Sequence, residues 1–185
     1  DQPYDQPPIL DPDSGEPLVE PLDMGDFDTV GAKEQAVLDI VRRKVAQGER
    51  VLVYTSWTRT DSQQKLLKLL QENGYRTEIL APQIATEKRE EWVDKRVKNG
   101  LQVLITNPRC VETGLDLNAF TTIIFYSMGY NLFTLRQASR RSWRINQTAP
   151  KVEVYMLYYA DTLQEAGGRR HHRRDLQRGG TCRHE

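Results

Sequence analysis

Cysteine is scarce in this 185-residue chain: Cys110 and Cys182 are the only two. That is too few for a disulfide framework or a zinc site, so both read as reduced thiols of a cytoplasmic protein. No apolar run approaches the roughly 20 residues of a membrane-spanning helix, and no signal peptide opens the sequence. Hydrophobic residues make up 38 % of the chain and the mean hydropathy is −0.67, enough for a soluble core but not for a membrane protein. Nor is either sign of charge in excess. Twenty-six basic residues face 26 acidic ones, a balance that, taken whole, argues against a nucleic-acid-binding module. The length suits one domain, and the first residue, Asp1, leads to the expectation of a piece from a longer protein.

The balance is not uniform. Residues 1–30 hold nine acids, six of the nine prolines and neither Lys nor Arg. Such a composition buries too little apolar surface to offset its ordering entropy, and it is expected to be a disordered linker or arm. Residues 167–185 carry six Arg, two acids and all three His, and are likewise expected to be a disordered basic tail. Between them, residues 31–166 hold 20 basic and 15 acidic residues, a net charge of +5. The part expected to fold is basic.

Apolar periodicity there alternates between helix and strand. Lys33–Gln47 sets Ala36, Val37, Ile40, Val41 and the Lys44 stem on one helical face, and Gly48 ends it. Strand patterns follow at Arg50–Thr55, Arg76–Leu80, Gln102–Thr106, Thr121–Tyr126 and Lys151–Tyr158. Helices are expected over Asp61–Asn73, from a Thr86 cap to Lys98, and over Leu132–Trp143. This alternation predicts an α/β domain of five or six strands, mostly parallel, with helices on both faces.

In such sheets ligands bind beyond the carboxyl ends of the strands, so the segments there carry the chemistry. Ser56, Trp57 and Thr58 follow one strand; residues 107–117, NPRCVETGLDL, follow Thr106. A later helix reads QASRRSWRINQ over residues 137–147, with Gln137, Arg141 and Arg144 at i, i+4 and i+7 on one face. An amide and two guanidiniums suit phosphate oxygens, which planar Arg groups engage bidentately. The alternative is a solvated basic face. Trp57 either stacks on a base or packs beside the sheet, and Cys110 is a small buried residue rather than a nucleophile, no His being near in the sequence.

Thr106 with Gly114-Leu115-Asp116, followed by Q-x-x-x-R-x-x-R, resembles motifs V and VI in the motor core of superfamily 2 helicases. RVLVYTSWT, residues 50–58, resembles motif IV, and QASRRSWRINQ is similar to the QA-x-x-R-x-x-RIGQ form of Swi/Snf-type DNA-dependent ATPases and their bacterial and phage relatives. Asp161–Glu165 resembles that group's TIEE segment. The departures are Arg140 before the first motif VI arginine, Asn146 for the glycine of RIGQ, and Asn107-Pro108-Arg109-Cys110 leading motif V.

The resemblance, over residues 33–166, implies a single RecA-like three-layer domain. It implies that Arg141 contacts the γ-phosphate of ATP, that Arg144 is the arginine finger, and that Gln137 bonds near the nucleotide. Gly114 and Asp116 are then at the nucleotide cleft, while Ser56, Trp57, Thr58 and Thr106 meet the nucleic-acid backbone. No G-x-x-x-x-G-K-[ST] loop and no Asp-Glu pair of the magnesium-binding type occurs in the sequence. The expectation is therefore a second motor lobe, inactive alone, whose first lobe holds most of the Mg2+. Its expected partners are that first lobe and DNA in preference to RNA, with no membrane and a monomeric isolated domain, in a cytoplasmic protein of bacterial or phage type. Two rivals stand beside it: a non-catalytic nucleic-acid-binding or scaffold module of the same fold, and a different nucleotide-binding α/β enzyme.

Overall fold

The computed structural model describes residues 9–19, 29–55, 62–111, 115–127 and 151–159. A hairpin of β1 (Ile9–Leu10) and β2 (Pro17–Val19) comes first. Then follow α1 (Ala32–Ala46), β3 (Val51–Tyr54), α2 (Ser62–Glu72), β4 (Thr77–Leu80), α3 (Arg89–Lys98), β5 (Val103–Thr106), β6 (Thr122–Phe125) and β7 (Glu153–Met156). Each predicted helix or strand within the described residues is present, with ends shifted by a few residues at most. The helix expected at Leu132–Trp143 and the 167–185 tail lie outside the described residues.

β3 to β7 form one sheet in the order β4-β5-β3-β6-β7, every neighbouring pair parallel. The pairing carries no slip, so residues align in rows. Leu80, Thr106, Tyr54, Phe125 and Met156 make the carboxyl row; Thr77, Val103, Val51, Thr122 and Glu153 make the amino row. Alternation along the strands then sorts the core. Val51, Val53, Val103, Ile105 and Ile124 face α1 and α2, meeting Val37, Val41, Leu66 and Leu70. Leu52, Tyr54, Leu104, Ile123 and Phe125 face the other way, toward Val93 of α3 and Leu115, Leu117 and Phe120. Helices on both faces of a parallel sheet make this the expected α/β architecture.

Two local expectations are corrected. Thr86 does not cap α3: it begins a single 3-10 turn, Thr86–Lys88, that runs into the helix, and no side-chain cap bond is made at Ala85 or Lys88. Within the arm expected to be disordered, residues 9–19 close a hairpin. The reason is local hydrogen bonding: Asp11 Oδ1 accepts from the amides of Asp13 (2.7 Å) and Ser14 (3.1 Å), and Gly15 turns the chain at φ +73°. Those backbone bonds, Asp13's first and Ser14's second, hold the Asp11 carboxyl below its usual range.

At the amino row a charged network ties the sheet to the end of α1. Lys44, 5 % exposed, reaches Glu153 at 2.6 Å and Glu49 at 3.4 Å. Glu49 also accepts from the hydroxyls of Thr121 and Thr122, and Glu153 from Lys151 and Tyr155. Burial alone would lower the Lys44 pKa, but its bond to Glu153 and the surrounding negative groups raise it. The hydrogen bonds from Lys151 and Lys44 pull Glu153 down to about 2. This end of the sheet is closed by mutual neutralisation.

Candidate motor face at the carboxyl row

The chain leaves β3 for β4 on one side and leaves β6 for β7 on the other, although β3 and β6 are neighbours. Where outgoing connections part in this way, a crevice opens beyond the strand ends. The segments that leave its two sides are residues 56–61 and 128–150. Ser56, Trp57, Thr58, Gln137, Arg141 and Arg144 fall in them, outside the described residues, as do Gly114 and the 161–165 segment.

Two predicted site residues are described. Thr106 sits in the carboxyl row, fully buried, and its hydroxyl donates to Leu80 O at 3.1 Å across the sheet. Its carbonyl accepts from Thr55 N at 3.0 Å, so Thr106 adjoins the root of the 56–58 segment. Thr55 is itself buried and its hydroxyl accepts from Gln63 Nε2 at 2.8 Å, pinning the first turn of α2. Asp116 is half-buried between Leu115 and Leu117, both in the core. Those flanking leucines anchor the loop from which Asp116 departs.

Sequence reasoning missed the side chain that shapes this loop. Arg89, only 9 % exposed, donates to Ile84 O (2.9 Å), Cys110 O (2.8 Å) and Pro82 O (3.2 Å). One guanidinium thus binds the loop after β4 to the loop after β5, where Cys110 is buried as expected. In a sequence reading EKREEW it looks like any solvated charge, and no periodic signal marks it. The orienting role of Asn107 is similarly local: its Oδ1 accepts from Arg109 N at 2.9 Å, starting the Pro108–Val111 turn.

A second missed group lies at the exits of β6 and β7. Lys33 Nζ donates to Tyr126 O at 3.2 Å and lies 5.5 Å from the Tyr126 ring centroid and 4.7 Å from that of Tyr159. Tyr126 donates its hydroxyl to Glu34 Oε1 at 2.6 Å, and Lys65 of α2 lies 3.6 Å from the same oxygen while donating to Thr29 O at 2.6 Å. Lys33, Glu34 and Lys65 are all buried. Burial lowers the Lys33 pKa to about 8, opposed by the charge of Glu34.

The family described as "Helicase conserved C-terminal domain" matches residues 32–146. The chain belongs to that family. The helicase C-terminal domain is 27 % identical over 164 residues to the chromatin-remodeling ATPase INO80 of Mus musculus, covering 84 % of this chain and 10 % of that protein. It is 30 % identical over 137 residues to INO80 of Mycosarcoma maydis (74 % and 7 %) and 30 % over 140 residues to helicase SWR1 of Cryptococcus neoformans (72 % and 10 %). The chain thus spans about a tenth of these relatives. Its fold is that of the C-terminal part of the Fun30 ATPase domain, with a TM-score of 0.68 at 21 % identity over 75 % of this chain and 44 % of that one.

These relatives bear out the Swi/Snf-type resemblance and the RecA-like lobe. They overturn one expectation. The relatives named are eukaryotic and two are chromatin-remodeling ATPases by name, so a cytoplasmic protein of bacterial or phage type is not what the helicase C-terminal domain resembles. The physical reason is that the spacing of a sequence motif carries no signal of compartment or source.

Proposed function

We propose that this domain is the second motor lobe of an ATP-dependent DNA translocase, supplying motifs IV, V and VI and inactive as an ATPase without its first lobe. The observation that carries the reading is the flush carboxyl row, where β3 and β6 part company. The segments bearing Ser56, Trp57 and Thr58 and bearing Gln137, Arg141 and Arg144 both take root there. ATP bound between the lobes draws this row toward the first lobe. Arg141 then meets the γ-phosphate and Arg144 neutralises charge developing on the transferred group, with Gln137 bonding nearby. Gly114 and Asp116 line the nucleotide side of the cleft, while Ser56 and Thr58 present polar groups to the DNA backbone and Trp57 stacks beside it; Thr106, fully buried with its hydroxyl on Leu80 O, supports the root of that segment instead of meeting DNA itself.

Mg2+ neutralises the phosphates when bound. Among the described residues no three His, Cys, Asp or Glu side chains gather to hold a metal, so this part of the chain does not fit a resident ion, and we assign it mainly to the first lobe. The names of the relatives support ATP as the substrate and DNA in preference to RNA. In the two-lobe protein, Arg144→Ala should abolish hydrolysis, a loss of at least about 10³-fold, while ATP binding measured by a fluorescent analogue stays near wild type. Wild-type turnover in that variant would overturn the assignment.

A further inference from the structure

Among the described residues β4 is the last strand on its side of the sheet, and its outer edge is open. Arg76 O accepts from Val103 N at 3.1 Å, which sets the phase of the ladder. Arg76, Glu78 and Leu80 then turn their backbone groups toward β5, while Thr77 and Ile79 turn theirs outward. Gln71 Nε2 covers the Thr77 carbonyl at 3.0 Å. Among the described residues nothing bonds the outward amide and carbonyl of Ile79. Such an edge accepts a further extended chain.

Beside the amino end of this edge lies a hollow of about 370 Å³, where two guanidiniums are held in place. Arg76 donates to Asn99 O at 2.9 Å, just past the end of α3. It lies against Gly100, where a Cβ would come within 2.6 Å of it. Gly100, at φ +86°, thus turns the chain out of α3 and leaves the guanidinium its place. Arg96 stands 3.5 Å from the centre of the Trp92 ring and donates to Glu78 at 2.5 Å. Arg96 therefore has a carboxylate, whereas Arg76 makes no ion pair with any described residue. Alternation also divides the edge by chemistry. Arg76 and Glu78 lie on the α3 face with Arg96; Tyr75 and Ile79, both half-buried, lie on the other face with the apolar cluster of α1 and α2.

We propose that the open edge of β4 docks an extended peptide of a partner protein in which apolar and acidic residues alternate. The peptide backbone bonds the amide and carbonyl of Ile79. Its apolar side chains cover Ile79 and Tyr75, and the acidic side chain between them turns to the α3 face, where Arg76 takes it. Charge selects this occupant. A basic peptide leaves Arg76 without a counter-charge, and a nucleic-acid strand brings phosphates up to Glu78 and has no row of amides to pair with the edge. The site is at the amino end of the sheet and does not depend on the motor-lobe reading.

The test is a fluorescence-anisotropy titration of the 185-residue chain with short labelled probes at low salt. The first peptide alternates valine and glutamate, the second valine and lysine, and the third is the first methylated on every backbone nitrogen. The fourth probe is a single-stranded oligothymidylate. The valine–glutamate peptide should bind saturably and slow hydrogen exchange at the Ile79 amide, read by NMR. The other probes should bind at least about tenfold more weakly. Arg76→Gln keeps a donor for Asn99 O, and should weaken the peptide about tenfold with an unchanged melting temperature. Three results would each overturn the proposal: no saturable binding of the valine–glutamate peptide, equal binding by Arg76→Gln, or an Ile79 amide that exchanges as fast with the peptide bound. Binding of the oligothymidylate in preference to the peptide overturns it as well. Should Arg76→Gln not fold, the methylated peptide and the Ile79 exchange decide.

Discussion

Two buried lysines stand on one face of α1, three turns and about 16 Å apart, and the protein treats them in opposite ways. Lys44, at the amino row, meets two carboxylates and its pKa rises. Lys33, at the carboxyl row, is held by a carbonyl and two tyrosine faces and its pKa falls to about 8. Burial dominates at Lys33, whereas at Lys44 the carboxylates of Glu153 and Glu49 outweigh it. An ion pair with good hydrogen bonds stabilises a fold once it is formed. At Lys33, burial beside a carbonyl and two rings works against the charge and outweighs the favourable field of Glu34.

The comparison breaks most visibly at the amino end. Lys44→Met removes the cation that Glu49 and Glu153 share, leaving Lys151 on Glu153, and should cost about 2–3 kcal/mol in urea denaturation, less than a fully buried pair because both carboxylates are partly exposed. A cost near zero would mean that the two carboxylates are satisfied without it. Tyr126→Phe removes a hydrogen bond to a buried carboxylate at the other end and should cost about 1–2 kcal/mol by the same measurement. A cost near zero would mean that Glu34 is satisfied without it.

The smallest effect sharpens the contrast through acid. Glu153 has a pKa of about 2 against an ordinary 4.5, so its contribution to stability is present above 4.5 and disappears as pH falls toward 2. Glu153→Gln should flatten that part of the stability curve. An unaltered curve would assign the acid limb to other carboxylates. Lys44 has the reverse dependence, its contribution being complete below the ordinary lysine value and lost above it.

The strands and helices were legible because each buries one face, and burial writes a period into the sequence. VLVY, VLIT and TIIF could be read as interior strands without any structure. The Swi/Snf-type kinship was legible for a different reason: the spacing of Gln137, Arg141 and Arg144 matches a motif of that group. What stayed hidden was the set of polar side chains that work across long sequence distances. Arg89 bonds Cys110, 21 residues away, and Lys33 bonds Tyr126, 93 residues away. Neither leaves a periodic trace, because one contact needs no repeat. The Asp11 hairpin was hidden by composition, its local bonds being outweighed in the reading by nine acids and six prolines.

The straight carboxyl row has an evolutionary corollary. Because five strands stop level with one another, each outgoing loop begins from its own fixed root and shares little chain with the next. Extra residues inserted after Tyr54 or after Phe125 would lengthen one loop and leave the starting points of the others where they are. A sheet built this way behaves like a socket strip: new appendages can be plugged in at one outlet while the remaining outlets keep their alignment.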